Sequence, residues 1–484
     1  MSAGRALAAP AGRRRRFAAV ACALALAAAV SAPRPPALAA GSVAGAVQKA
    51  LRERDDRQRA RQLEDALRGA DGADAAEAVL EKLLPKARNA VDEEIGVVAL
   101  ARMRTPEALA VVAAAARSAG DFAVRAGAVE ALGRGGSPDD LDVLAPLTRD
   151  ADPRVRAAAA TSLGERGVLR SSADVRALLA DADWRVRSAA VWALAREGWG
   201  PPERAPEADA VDGPLELVEM LRREDGRLLD DLAAALQHIT GEGHGPYPGP
   251  YLRLWAEHWK LDRPAEDREF RAPPPTIDTP LLASRSRRVL VVLATGESMK
   301  DEVLPPALSP GAAARLRALG PDLVEAHAEA RTKLALCKVY AQAILRSLAD
   351  GTRFDVAVYA DSPTFAFGEY VEANDRTRKR AESRIASLSP GGGGNLEGTL
   401  RRAFDPRGRG VYESDDGPDT IVLFSDGRLA APGTTDRNQV VLAVRRWNRV
   451  RQVRFVVVAP RPNDDSVLGP FVSEPPLGAY VELP

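Results

Sequence analysis

Two stretches in the second half of the chain put oxygen-bearing side chains where an apolar run gives way to a turn. These are "ATGESMKDEV" at 294–303, which follows Val289 to Leu293, and "IVLFSDG" at 421–427. Hydroxyl and carboxylate oxygens converging at strand ends can hold a hard divalent cation, and the carboxyl ends of strands in an open α/β sheet are where such ligands collect. The donors are Ser298 and Asp426, with Asn395 in the Gly-rich turn "PGGGGNLEG" between them and Glu297 and Asp301 as acids that could swing in. Ala294, Gly296 and Gly394 bring no side-chain oxygen to these turns. Glu297 occupies an intervening position whose side chain should point away. One hydroxyl and one carboxylate make a poor set for a metal, so no metal and no cofactor is expected, and Ser298 and Asp426 should instead hold the turn backbone by hydrogen bonds.

Other side chains point to rival chemistry. "GES" after a strand is similar to a nucleophile elbow, which would make Ser298 the nucleophile of a serine hydrolase. Against this, Lys300 replaces the second glycine of that motif, and His327 precedes Asp426 rather than following it. His238, His244 and His258 are spaced by six and fourteen residues, matching no compact metal motif. Cys337, in the amphipathic "KLALCKVYAQAIL", reads as a core residue.

The elements that must position these groups alternate in kind. Strands are expected at 288–294, 353–360, 419–426 and 453–459, with helices at 333–348, 376–388, 396–404 and 436–448, the pattern of a doubly wound parallel sheet. The first half has a different period. "VRAGAVEALG" at 124, "VRAAAATSLG" at 155 and "VRSAAVWALA" at 186 recur every 31 residues, with "DADPR" or "DADWR" as the turn before two of them. Each is the second helix of a pair that cannot bury its own apolar stripe, so the units must stack as a solenoid.

These repeats resemble the bacterial short HEAT-repeat family in their turn, Val-Arg start and period, and the Trp-rich "YLRLWAEHW" resembles a closing segment of such arrays. The second half resembles the von Willebrand factor type A (vWA) domain. "VVLATGESM" stands where that family has Asp-x-Ser-x-Ser, "PGGGGNLEGTL" where it has a Thr-bearing turn, and "IVLFSDG" matches its Asp-Gly strand end. The resemblance implies a doubly wound, Rossmann-like domain whose metal-ion-dependent adhesion site is degenerate. Ala294, Gly296 and Gly394 are its lost ligand positions, and Ser298, Asn395 and Asp426 remain as a binding edge.

The 484 residues suggest more than one domain. "RRRRF" at 13–17, an apolar run ending at Pro33 and "ALA" at 37–39 read as an export signal, too short to span a bilayer. The whole chain is formally neutral. Its first forty residues hold six arginines and no acid, so removing them leaves a net charge of 61 − 67 = −6. Nucleic acid and anionic membranes are therefore not expected partners. The expected plan is a signal peptide (1–40), an N-terminal helical cap or arm (41–74), a HEAT solenoid with its closing helix (75–260), a Pro-rich linker (261–284) and a vWA-like domain (285–484). The expected function is that of an exported, periplasmic or secreted, non-enzymatic scaffold. It would bind protein partners through both halves, which proteolysis in the linker should release as separate folded pieces.

Overall fold

A computed structural model describes residues 40–135, 138–169, 174–196, 213–240, 286–305, 307–408, 411, 416–429, 437–476 and 478–483. The expected signal peptide, the linker, the Trp-rich closing segment, His244 and His258 lie outside these residues.

The first half is all helical: α1 (Ala40–Ala50), α2 (Asp56–Leu67), α3 (Ala73–Glu77, running on through wider and tighter turns to Lys86), α4 (Ala90–Ala101), α5 (Pro106–Ser118) and α6 (Phe122–Gly135). It continues with α7 (Pro138–Leu147), α8 (Pro153–Glu165), α9 (Asp174–Leu179), α10 (Trp184–Arg196), α11 (Gly213–Arg223) and α12 (Leu228–Thr240). The helices that carry the sequence repeat, α6, α8 and α10, stack on one another in a row that α4 begins and α12 ends. Small residues permit this. A Cβ on Gly164 would lie 2.4 Å from the Ala193 backbone, so any larger side chain there would push α8 off α10.

The Val-Arg start of each repeat has a job beyond helix initiation. Arg125 pairs with Asp150, Arg156 makes a two-point contact with Asp181 at 2.7 and 2.8 Å, and Arg187 reaches Glu224. Each arginine thus binds an acid of the following unit, most often in its turn, and fixes the spacing of the stack. Residues 41–74 are a cap, with Val47 and Leu63 buried in the solenoid core and Arg59 in a fully buried ion pair with Asp92.

The second half is a seven-stranded sheet in the order β3-β2-β1-β5-β6-β7 with β4 also on β2. Its strands are β1 (Arg288–Ala294), β2 (Arg353–Tyr359), β3 (Pro363–Phe365), β4 (Val371–Glu372), β5 (Thr420–Phe424), β6 (Arg454–Pro460) and β7 (Ala479–Leu483). β2, β1, β5, β6 and β7 are mutually parallel, but β3 and β4 run antiparallel to β2. The sheet is therefore mixed, not parallel throughout. β3, β4 and β7 are edge strands of two to five residues, too short and too half-exposed to show a pattern in sequence. Around the sheet lie α13 (Pro310–Leu319), α14 (Pro321–Glu329), α15 (Lys333–Ser347), α16 (Asp375–Ala386), α17 (Leu396–Phe404), α18 (Arg437–Arg451) and α19 (Asp465–Ser473).

The halves meet over a buried, charged seam in which α18 lies against the repeat-helix row and Val450 joins the solenoid core. Arg446, 4% exposed, is bound by Glu93 (2.9 Å), Glu94 (3.2 Å) and Glu130 (3.3 Å). Arg449 makes a two-point contact with Glu165 at 2.6 and 3.0 Å. Burial works against the Glu130 charge, but Arg446, Arg449 and Arg134 overcome it and hold its carboxyl down at about 2. Arg227 donates to the carbonyl of Gln452, and Arg454 pairs with Asp230 at 3.3 Å. Two folded pieces cannot part at the linker without breaking these pairs.

Candidate functional site

Five consecutive buried residues, Val289 to Leu293, make β1 a central strand, paired on one side with β2 and on the other with β5. Its carboxyl end and that of β5 therefore open side by side. The chain leaves β1 through Thr295 and Gly296 into a tight turn, Glu297–Lys300. The Gly-rich segment folds directly over this turn. Gly391 N–H donates to the Thr295 carbonyl at 2.6 Å and Glu297 N–H to the Gly392 carbonyl at 3.0 Å. A Cβ on Gly296 would stand 2.8 Å from the Gly393 carbonyl oxygen, so a serine at this position would displace the Gly-rich turn. Backbone of the Gly-rich turn fills the space in which the Gly296 position would otherwise offer a side chain.

Asp426, 2% exposed, sits just past β5, and its partner is a cation of this chain. Lys333, the first residue of α15, is fully buried and directs its ammonium to Asp426 Oδ2 (3.0 Å), Asp301 Oδ2 (3.0 Å) and the Pro462 carbonyl (2.7 Å). Three acceptors match the three donors of an ammonium. Arg428 adds a contact to Asp301 at 3.1 Å and its backbone N–H to Asp426 Oδ1. The hydrogen bond from Lys333, outweighing a small opposing effect of burial, keeps the Asp301 carboxyl below its ordinary range, with Arg428 assisting. Burial, reinforced by the charge of Asp426, pushes the Cys337 thiol up and makes it unreactive.

The remaining candidate residues fall as follows. Glu297 points out of the turn and pairs with Lys300. Asp301 does come to the strand end, but it is joined to Asp426 through Lys333. Ser298 is half-buried in the tight turn. Asn395 caps α17, accepting from Gly398 N–H at 2.9 Å and donating to the Asp361 carbonyl at 3.1 Å. His327 is buried on α14, edge-on to Tyr340. Asp426, the acid a triad would need, is committed to Lys333. Among the described residues no three or more His, Cys, Asp or Glu cluster as a metal site.

The residue missed in sequence is Lys333. Its stretch reads as an amphipathic helix, and a search for lost ligands looks for replacement acids. The available signal was an alternative reading of the same loss, in which a carboxylate kept at a strand end without its metal needs some other positive charge.

The fold and this strand-end turn define a helical solenoid carrying a doubly wound α/β domain. Residues 77–152 and 144–237 match the HEAT repeat family model and residues 323–462 that of the von Willebrand factor type A domain, so the chain is a HEAT-repeat protein with a C-terminal vWA domain. Both are modules that generally serve protein interaction. Among solved structures, a von Willebrand factor type A protein from Catenulispora acidiphila is 12% identical with a TM-score of 0.26, over 41% of this chain and 38% of that one. The RO (RSR) protein of Deinococcus radiodurans is 15% identical with a TM-score of 0.23, over 93% of this chain and 92% of that one. This chain thus spans well under two thirds of the first of these. No curated protein matches it.

Proposed function

We propose that this protein is an exported, non-enzymatic scaffold whose vWA domain binds protein partners without a metal ion. The observation that supports the reading is the Lys333 ammonium on Asp426. The carboxylate that metal-binding members of the family give to a cation is here neutralised from within the chain. The donor set does not fit a divalent ion, since Ala294, Gly296 and Gly394 contribute no side-chain oxygen and Asp426 and Asp301 are already engaged. A cation entering would have to expel a hydrogen-bonded ammonium into a buried position with nowhere to go, or leave two like charges side by side. Export rests on the basic, apolar and small-residue order of the first forty residues, and among the described residues no helix is long and apolar enough to cross a membrane.

The test is thermal unfolding of the full chain with millimolar Mg²⁺ or Ca²⁺ against EDTA. No saturable shift is expected. A site with a dissociation constant a hundredfold below the ion concentration would add about 2.7 kcal/mol, and such a shift, abolished by Asp426→Asn, would overturn metal independence. Labelling of Ser298 by a fluorophosphonate would overturn the non-enzymatic reading.

A further inference from the structure

We infer that the outer face of α16, beside the β3 edge of the sheet, is a docking surface for an acidic segment of a partner protein. The inference rests on the scaffold reading, for which it supplies the partner's chemistry. In "DRTRKRAESRIA" the helix turns Ala381 and Ile385 into the core, and its opposite face carries Arg376, Lys379, Arg380 and Arg384 with Ser383, all exposed. Its two acids lie off this face. Asp375 stands at the margin, 3.6 Å from Arg378, and Glu382 is turned to Arg346 at 3.1 Å. Among the described residues none of the four cations is in an ion pair.

This arrangement works against the helix that carries it. Arg376 with Arg380, and Arg380 with Arg384, are like charges four residues apart, and Arg376 with Lys379 adds a pair at three. Arg376, in the first turn, also faces the positive end of the helix dipole. By contrast Arg346, Arg378, Arg445 and Arg461 of the same domain each have a carboxylate partner. Two members of the row are nonetheless held in place. Arg380 stacks over the Phe367 ring, 4.9 Å from its centroid, and Arg384 reaches the Thr364 hydroxyl of β3 at 3.4 Å. Guanidinium groups placed before a partner arrives lose less freedom when it binds.

The spacing fits carboxylates on a polypeptide. Arginines four residues apart on a helix recur about every 6 Å along its axis, and acids at every second position of an extended chain recur about every 6.7 Å. Each guanidinium fork can take a carboxylate by two parallel hydrogen bonds. A nucleic acid is the poorer match, because the row is one helix wide and the chain without its first forty residues is net acidic. A long polyanion would meet that repulsive field along its whole length, a short acidic segment only the row.

The full chain, in EDTA and at low ionic strength, is titrated into a fluorescein-labelled peptide of alternating Glu and Ser, with binding read by anisotropy. Saturable binding that sodium chloride weakens is expected. Arg376→Gln, Arg380→Gln and Arg384→Gln together should weaken it tenfold or more. Arg57→Gln, Arg61→Gln and Arg117→Gln together remove the same charge from exposed arginines of the solenoid and should change it less than twofold. All six side chains are exposed, so both variants keep the fold, and the α16 variant, relieved of its repulsion, should unfold no earlier than the parent. Equal weakening in the two variants would reduce the effect to net charge and overturn the surface. Tighter binding of single-stranded DNA or of phosphatidylglycerol vesicles through the same arginines would overturn the protein partner. No saturable peptide binding, with EDTA or with Mg²⁺, would overturn the surface and leave the scaffold reading standing. Binding that needs Mg²⁺ and survives in the α16 variant would overturn both.

Discussion

Glu130→Gln removes a carboxylate that touches three arginines, Arg134 on its own helix and Arg446 and Arg449 across the seam, while keeping the shape of the side chain. The magnitude follows from the charge environment. The Glu130 carboxyl is held at about 2 against an ordinary 4.5, and each unit of such a shift is worth 1.36 kcal/mol, which gives about 3 kcal/mol in favour of the ionised, docked arrangement at neutral pH. The same figure is the common cost of leaving one side of a buried ion pair alone. Urea unfolding of the full chain, followed by circular dichroism, should show a loss of that order. Because Arg134 accounts for part of it, the seam's own share is read from a double-mutant cycle with Arg446→Gln, in which a coupling of about 1 kcal/mol or more is expected between residues in contact. Glu130 is depressed in the folded state, so its contribution is complete above an ordinary glutamate pKa and disappears as pH falls from about 4.5 towards 2. The variant should lose this part of the acid dependence. A coupling near zero, or unchanged acid sensitivity, would mean that the two halves are not docked in solution as described.

At the strand-end turn, Lys333→Met should cost about 3 to 5 kcal/mol because it strands the buried Asp426 charge, and Lys333→Met with Asp426→Leu should regain much of that loss; chemical denaturation of the two variants checks both statements. In the solenoid, Leu163, 4% exposed on α8, cannot become Asp without burying an unpaired carboxylate, at a cost of several kcal/mol. Hydrogen exchange in Leu163→Asp should show α8 and its neighbours opening well before β1 and β5, and uniform protection would contradict the repeat packing.

The parts of this molecule that were legible in sequence are those where a local pattern sets the structure. The 31-residue recurrence marks the repeat helices, and the apolar runs at 289–293 and 421–424 mark the central strands. The strand-end turn was legible as a place but not as chemistry, because Lys333 comes to Asp426 from 93 residues away in sequence and Pro462 from another loop. The seam escaped for the same reason. In α18, "RNQVVLAVRRWNRVR", the arginines at 446 and 449 look like a solvated face, and only the tertiary placement of Glu93, Glu94, Glu130 and Glu165 takes them out of water. Likewise the Val-Arg start of the repeat was visible as a signature, whereas its pairing with an acid of the next unit required the stack.

The seam and the strand-end turn lie at opposite ends of the same strands. Arg287 precedes β1, Asp419 precedes β5 and Arg454 opens β6, and all three engage the solenoid side, through Asp225, Arg227 and Asp230 respectively. Asp426 and the Gly-rich turn sit at the far ends. A tensile load between the solenoid and anything gripping that far edge would run lengthwise through β1, β5 and β6. Their parallel ladders would then be stressed in shear, with many hydrogen bonds sharing the force, while the ion pairs of the seam would be pulled apart one after another. The weakest link under tension is thus the joint between the halves, and the sheet would transmit force to it without itself giving way.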